Sequence, residues 1–274
     1  MRALPILITA GIILLAGLAS AAEPIEFAAG DTKLKATLYR PAGAGPFPAV
    51  VALHACDGLG DRTGPIQPRY REWGERLAAA GFAVVFPDSF GSRGLGSQCR
   101  VRERTVRASR LRTADANAAR HWLQAQSWAI GDRVSLLGWS HGATTALWTV
   151  RRRTTNRDKT ADFRSAVALY PSCRRSSLSA WSARIPTLIL IGGADDWTPA
   201  STCQQMVADA RGRSAAATLV VYPGAYHDFD QANVPLHERV GLANTPNAAG
   251  RVHVGSNPAA RADAIKRVPE WFAR

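Results

Sequence analysis

The sequence predicts an α/β protein whose mostly parallel central sheet is opened by an antiparallel hairpin and covered by helices on both faces. Two observations carry this reading. Strand-like and helix-like segments alternate along most of the chain, the pattern of βαβ units on a parallel sheet. The strand-like segments are unbroken Val/Leu/Ile/Ala runs rather than apolar–polar alternations, as strands buried on both faces require.

Taken in order, residues 26–40 read as the hairpin, turning at Gly30-Asp31. Residues 49–53 are a short apolar strand. Residues 70–80 read as a helix and stop at Gly81. Residues 82–86 make the next strand, closed by Pro87. A long helix is expected over 105–125, a strand over 134–137 and a helix over 141–151. Strands at 166–170 and 187–191, a helix at 199–209, a strand at 218–222 and a last helix at 258–272 complete the series. Residues 88–104 and 228–257 show no period, and loops this long in compact domains are commonly functional. With no internal repeat and no Ser/Gly/Pro-rich linker, residues 22–274 are expected to form one domain.

The 274 residues are 46% apolar and 20% charged, an ordinary foldable composition. A chain this long can bury a core without metal or disulfide staples. Its 23 Gly and 16 Pro are scattered without period, which excludes fibrous and low-complexity classes. Residues 1–21 read as a cleavable secretory signal: Arg2, an apolar run over 4–18, then Ala19-Ser20-Ala21. The run is short for a membrane span, so an exported protein, periplasmic or secreted, is expected. Export places Cys56, Cys99, Cys173 and Cys203 in an oxidising compartment. None lies in a CxxC pair, which argues against zinc. Adjacent strands would bring the segment after residue 170 beside the helix that carries Cys203. A Cys173–Cys203 bridge is therefore expected, with Cys56–Cys99 as a second.

The formal net charge is +13. Arg100, Arg102, Arg104, Arg107, Arg110 and Arg112 crowd the start of the long helix, and Arg151 to Arg153 form a second group. Such groups are either a surface for anionic partners or a solvated face. Aromatic residues do not interleave with them, so no nucleic-acid partner is expected.

The chemistry is carried by Gly138-Trp139-Ser140-His141-Gly142, which follows one expected strand and opens a helix. This is the G-x-S-x-G elbow in the strand–turn–helix setting that it needs. Glycines remove side chains that would collide with strand and helix, and the helix N-terminus points its N–H groups at developing negative charge. A serine needs a base, and the base an orienting acid. Asp195 and Asp196 lie just past the strand 187–191, and His227 just past 218–222, at the strand ends where parallel sheets place ligands. The order Ser140, Asp195, His227 is that of α/β-hydrolases. Asp196 competes for the acid role, but the spacing to Thr198-Pro199 favours Asp195. Asp228 reads as structural. Oxyanion donors are expected from the backbone N–H of His141 and from the loop His54-Ala55-Cys56-Asp57-Gly58, with Cys56 the foremost.

These motifs, with Phe86-Pro87-Asp88-Ser89-Phe90-Gly91-Ser92-Arg93-Gly94 and Tyr226-His227-Asp228-Phe229, resemble the dienelactone hydrolase family of α/β-hydrolases. The resemblance covers nearly all of the chain after residue 21. It implies an ester or lactone hydrolase without a cofactor. It places Ser140, Asp195 and His227 as the triad, Cys56 and His141 as oxyanion donors, and Arg93 beside the pocket. Arg93 then either pairs with a substrate carboxylate or makes a structural ion pair. Two departures stand out: Ser140 replaces the family's cysteine nucleophile, and Ala55 replaces its glutamate before the oxyanion residue. Dienelactone itself is therefore not implied as the substrate. The strands ending at residue 170 and starting at residue 187 leave no room for a large cap domain, so residues 88–104 and 228–257 must roof the pocket. Short-chain esters or lactones are the expected substrates of a monomer or dimer. The competing readings are a serine peptidase or acyltransferase on the same fold, and a non-catalytic binding protein with a basic surface.

Overall fold

The computed structural model describes residues 22–61, 64–152, 160–214 and 217–274. The expected signal segment 1–21 and Arg153 lie outside the described residues.

Strands β1 (Glu23–Ala29) and β2 (Thr32–Tyr39) form the antiparallel hairpin. It joins a sheet with β3 (Phe47–Leu53), β4 (Ala83–Pro87), β5 (Ala129–Trp139), β6 (Ala166–Leu169), β7 (Thr187–Gly192) and β8 (Ala217–Tyr222). The order is β1-β2-β4-β3-β5-β6-β7-β8. Strand β2 runs antiparallel to β4, and every later pairing in the sheet is parallel. The connection direction reverses between β3 and β5, so a crevice opens past their C-terminal ends. The central strands are buried throughout: all of β4, β6 and β7, and Ala49 to Leu53 of β3. The unbroken apolar runs are the reason.

Helices α1 (Pro68–Ala79) and α6 (Pro258–Ala273) meet on one face, where Arg261 pairs with Glu72. Helices α2 (Leu111–Gln124) and α3 (His141–Thr149) lie together on the other. Helix α4 (Arg174–Ser177) packs against α5 (Ala200–Asp209).

The boundaries depart from the sequence reading in three informative places. Helix α2 begins at Leu111, not at residue 105, because the preceding segment is tied down elsewhere. Gln98 N–H donates to Cys56 O at 2.7 Å and the Cys56–Cys99 disulfide closes on the same loop. Strand β5 extends back to Ala129 through a stretch in which Gly131, Asp132 and Arg133 interrupt the apolar run. Within 228–257 lies a two-stranded antiparallel ribbon, β9 (His237–Arg239) and β10 (Val252–Val254), whose strands are too short to show a period.

A small apolar cluster of Cys56, Cys99, Trp197, Leu242, Val252 and Val254 stands apart from the main core. Ala243 N–H donates to Cys99 O at 2.9 Å, and Trp197 Nε1 donates to Ala243 O at 3.4 Å. The segments 88–104 and 228–257 are thus sewn together. The second disulfide, Cys173–Cys203, joins the segment after β6 to α5. Among the described residues no helix is long and apolar enough to cross a membrane. The two disulfides are consistent with an exported protein.

The Cys173–Cys203 bridge closes 30 residues, which on the chain-entropy model stabilises by about 3 kcal/mol. Cys173→Ser is expected to lower the melting temperature by roughly 10 °C. Thermal unfolding of the oxidised protein and of the variant checks this; equal midpoints would show that the bridge constrains nothing.

Candidate active site

Ser140 sits between β5 and α3 with φ +50° and ψ −110°, a conformation that a non-glycine residue adopts only when its surroundings impose it. The imposition is visible at its flanking glycines. A Cβ on Gly138 would lie 2.5 Å from the backbone of Gly142, and one on Gly142 would collide with the carbonyls of Leu53 and His54. The elbow therefore packs against the end of β3 at a distance that only glycine permits. Ser140 N–H donates to Leu169 O at 2.9 Å, fixing the turn to β6 as well.

His227 follows β8 and is fully buried. Its Nε2 lies 2.9 Å from Ser140 Oγ, and its Nδ1 lies 2.8 Å from Asp195 Oδ2. Asp195 is itself held by three donors. The N–H groups of Trp197 and Thr198 reach Oδ1 at 3.0 and 2.8 Å, and the Thr198 hydroxyl reaches Oδ2 at 2.9 Å. The structure thus brings Ser140, His227 and Asp195 together. Asp196 turns away. It accepts from His253 N–H at 2.9 Å and meets His253 Nδ1 at 2.8 Å, which ties the loop after β7 to β10. That ribbon in turn supports the histidine, since Gly255 N–H donates to His227 O at 3.1 Å.

Two rings pack against the imidazole. Tyr170 and Trp197 have their centroids 4.6 and 4.7 Å from it. Burial alone pushes the imidazole down. The Asp195 charge and hydrogen bond, helped by Asp228, outweigh burial and leave it above the ordinary histidine value.

Of the two expected oxyanion residues, His141 directly follows the serine and Cys56 lies in the loop after β3. His141 is the first residue of α3, where backbone N–H groups have no partner within the helix. In the loop after β3, Ala55 N–H is taken by the Tyr70 hydroxyl at 2.8 Å, which leaves Cys56 next in line. The sulfur of Cys56 is bound to Cys99 and is not a free thiol.

Arg93 is placed differently from the substrate-contact expectation. Its guanidinium makes two bonds to the Asp115 carboxylate, at 2.9 and 2.7 Å, and a third to Ser89 O at 2.8 Å. With side chains only 14% and 1% exposed, the pair holds the loop after β4 onto α2, and this is the structural alternative.

Arg112 also differs from its neighbours in sequence. It is fully buried, bonds His54 O and His141 Nδ1 at 2.8 Å each, and lies over the Phe90 ring. Burial pushes it down to about 10. Arg104 is held through Nε on Gln98 O at 2.9 Å and has no carboxylate partner among the described residues. Burial brings it, too, down to about 10. Both guanidiniums act electrostatically on His141, so the flank of the site is positive. A concavity of about 520 Å³ across α5 and β8 holds none of these residues.

Sequence reasoning missed Thr198, Tyr170 and His253. Thr198 belongs to the Asp195–Pro199 motif and was open to detection; the other two are brought in only by the fold. Among the described residues no group of His, Cys, Asp or Glu is arranged to hold a metal ion.

Comparison with known proteins adds the family. The dienelactone hydrolase of Anabaena variabilis superposes with a TM-score of 0.65 at 20% identity, covering 93% of this chain and 98% of that one. A dienelactone hydrolase-like promiscuous phosphotriesterase from metagenomic libraries gives 0.69 at 20% identity, with 93% and 98% covered. Esterase 2 of Thermogutta terrifontis gives 0.63 at 18% identity, with 92% of each chain covered. These likenesses show the α/β-hydrolase fold. No curated protein matches significantly in sequence. The profile of the dienelactone hydrolase family matches residues 34–274, and the chain, a hydrolase by that membership, belongs to the dienelactone hydrolase family.

Proposed function

We propose that this protein is an exported serine hydrolase that cleaves small carboxylic esters or lactones through an acyl-enzyme. The observation that carries the reading is the unbroken hydrogen-bond line Ser140 Oγ–His227–Asp195, at 2.9 and 2.8 Å. Ser140 Oγ attacks the acyl carbon while its proton passes to His227 Nε2. Asp195 holds the Nδ1–H tautomer and stabilises the imidazolium. The tetrahedral oxyanion sits between the backbone N–H groups of His141 and Cys56. Collapse expels the alkoxide, which takes the proton from His227. Water, deprotonated by the same imidazole, then attacks the acyl-enzyme and frees the acid and Ser140.

The substrate class follows from what surrounds the serine. Ser140 is 7% exposed, and the segments 88–104 and 228–257 are tied together through the cluster of Cys56, Cys99, Trp197, Leu242, Val252 and Val254. Short acyl groups fit this reading. Arg104, which meets no carboxylate among the described residues, is a better candidate than Arg93 for an anionic substrate group.

Ser140→Ala is expected to lower ester hydrolysis by at least about a thousandfold with normal folding. Retained activity on p-nitrophenyl acetate would remove Ser140 from the chemistry. Asp195→Asn is expected to cost about ten-thousandfold by favouring the wrong tautomer, and Asp196→Asn far less. The reaction needs neutral His227, whose value is raised. The acid limb of kcat/KM is therefore expected above the ordinary histidine value of about 6.5, and below its wild-type position in Asp195→Asn. Equal losses at the two aspartates would reassign the acid.

Across p-nitrophenyl esters, kcat/KM is expected to fall from butyrate to palmitate. Arg104→Gln is expected to raise KM for anionic esters more than for neutral ones. Arg93→Ala is expected to lower the melting temperature instead, because it strands the buried Asp115 charge. A charge-selective effect confined to Arg93→Ala would reverse these roles.

A further inference from the structure

Behind the site lies a buried polar network that the chemistry above does not use. Its hub is Arg69, the second residue of α1 and 6% exposed. A cation there opposes the helix dipole, so the stability of α1 itself does not account for it. Arg69 Nη1 donates to Asp228 Oδ1 at 2.6 Å and to the Tyr170 hydroxyl at 3.1 Å. Nη2 donates to Asp57 Oδ2 at 3.1 Å and to the Tyr70 hydroxyl at 3.2 Å.

Each branch ends beside a group that the proposed reaction needs. Asp228 directly follows His227 and has φ +63°, a left-handed backbone that its surroundings must hold. Tyr170, at φ +43°, lays its ring on the imidazole. Its hydroxyl donates to Asp230 Oδ1 at 2.6 Å, and Asp230 Oδ2 accepts from the indole of Trp139, the residue before Ser140, at 2.9 Å. Tyr70 accepts the N–H of Ala55, the residue before Cys56. One guanidinium fork therefore touches the histidine loop and the oxyanion loop directly, and the elbow through two further side chains.

We propose that Arg69 is a positioning residue that sets His227 and the oxyanion loop at a fixed separation around Ser140. The inference rests on the serine hydrolase reading. The fork geometry is the essential part: a lysine ammonium keeps the charge but cannot address Asp57 and Asp228 with paired, directed bonds.

The test compares wild type, Ser140→Ala, Arg69→Lys and Asp228→Asn on p-nitrophenyl acetate, with melting temperatures measured alongside. Arg69→Lys is expected to lower kcat by about tenfold or more, because small misplacements are costly to near-attack geometry. Its KM is expected to stay within about threefold, and its melting temperature to change little. The charged groups acting on His227 are Asp195, Asp228 and Arg69, with the neutral Tyr170 phenol against its ring. Asp228→Asn removes a charge that raises the imidazole and leaves Arg69, which lowers it. The acid limb of kcat/KM is then expected to move to lower pH, and the plateau kcat to fall by about threefold or more with KM held, because the histidine loop loses its charge-assisted tie to the guanidinium. Wild-type kcat in folded Arg69→Lys overturns the positioning role. Should Arg69→Lys fail to fold, the plateau kcat of Asp228→Asn decides alone: a wild-type value there overturns the role. Hydrolysis by Ser140→Ala equal to wild type overturns the hydrolase reading and this inference together. Loss in Ser140→Ala with no effect at Arg69 and Asp228 overturns this inference only.

Discussion

The close approach of the α3 N-terminus to the end of β3 sets the geometry around Ser140. Gly142 has no Cβ to collide with Leu53 O and His54 O, so the turn can rise against the sheet. The serine takes its strained φ as a consequence. The same approach puts the first N–H of α3 beside the loop 54–58, at the point where the sheet's connections reverse direction. The crevice and the strained turn that carries Ser140 are two results of one packing contact.

A second constraint is electrostatic. His227 is fully buried, and an imidazole so placed resists protonation unless a partner compensates. Asp195 is that partner, and Trp197 and Thr198 fix its oxygens before the histidine uses them. The Tyr170 and Trp197 rings both pack against the imidazole. Little freedom remains, which suits the base of the proposed reaction. Arg112 and Arg104 supply positive potential on another flank, with no carboxylate in hydrogen-bond contact among the described residues. Arg112 is structural by its complete burial, whereas Arg104 keeps some exposure.

The fold and the residues around Ser140 were largely legible in the sequence, for a physical reason. Strands buried on both faces announce themselves as apolar runs, and a parallel sheet displays its functional groups just past the strands' C-terminal ends. Ser140, Asp195 and His227 each follow such a run, so position along the chain translates into position in space. What escaped was whatever depends on long-range side-chain pairing. Arg93 has no local feature to reveal that Asp115, 22 residues on, occupies its guanidinium. Arg112 looked like one more member of a basic cluster and is in fact buried beneath His54 and His141. Asp228 meets Arg69 across 159 residues, and strands of three residues in β9 and β10 carry no period to read. The start of α2 moved for the same reason: a disulfide and one backbone hydrogen bond to Cys56 hold residues 98–99 in place, and local propensity does not record them.

In the proposed reaction Ser140 becomes covalently acylated, or phosphonylated by a fluorophosphonate, with help from His227. Intact-mass measurement after brief exposure to a fluorophosphonate, followed by peptide mapping, reads this directly. One adduct per chain on the peptide containing Ser140, lost in His227→Ala, is the expected result. An unmodified protein, or an adduct elsewhere, would contradict it.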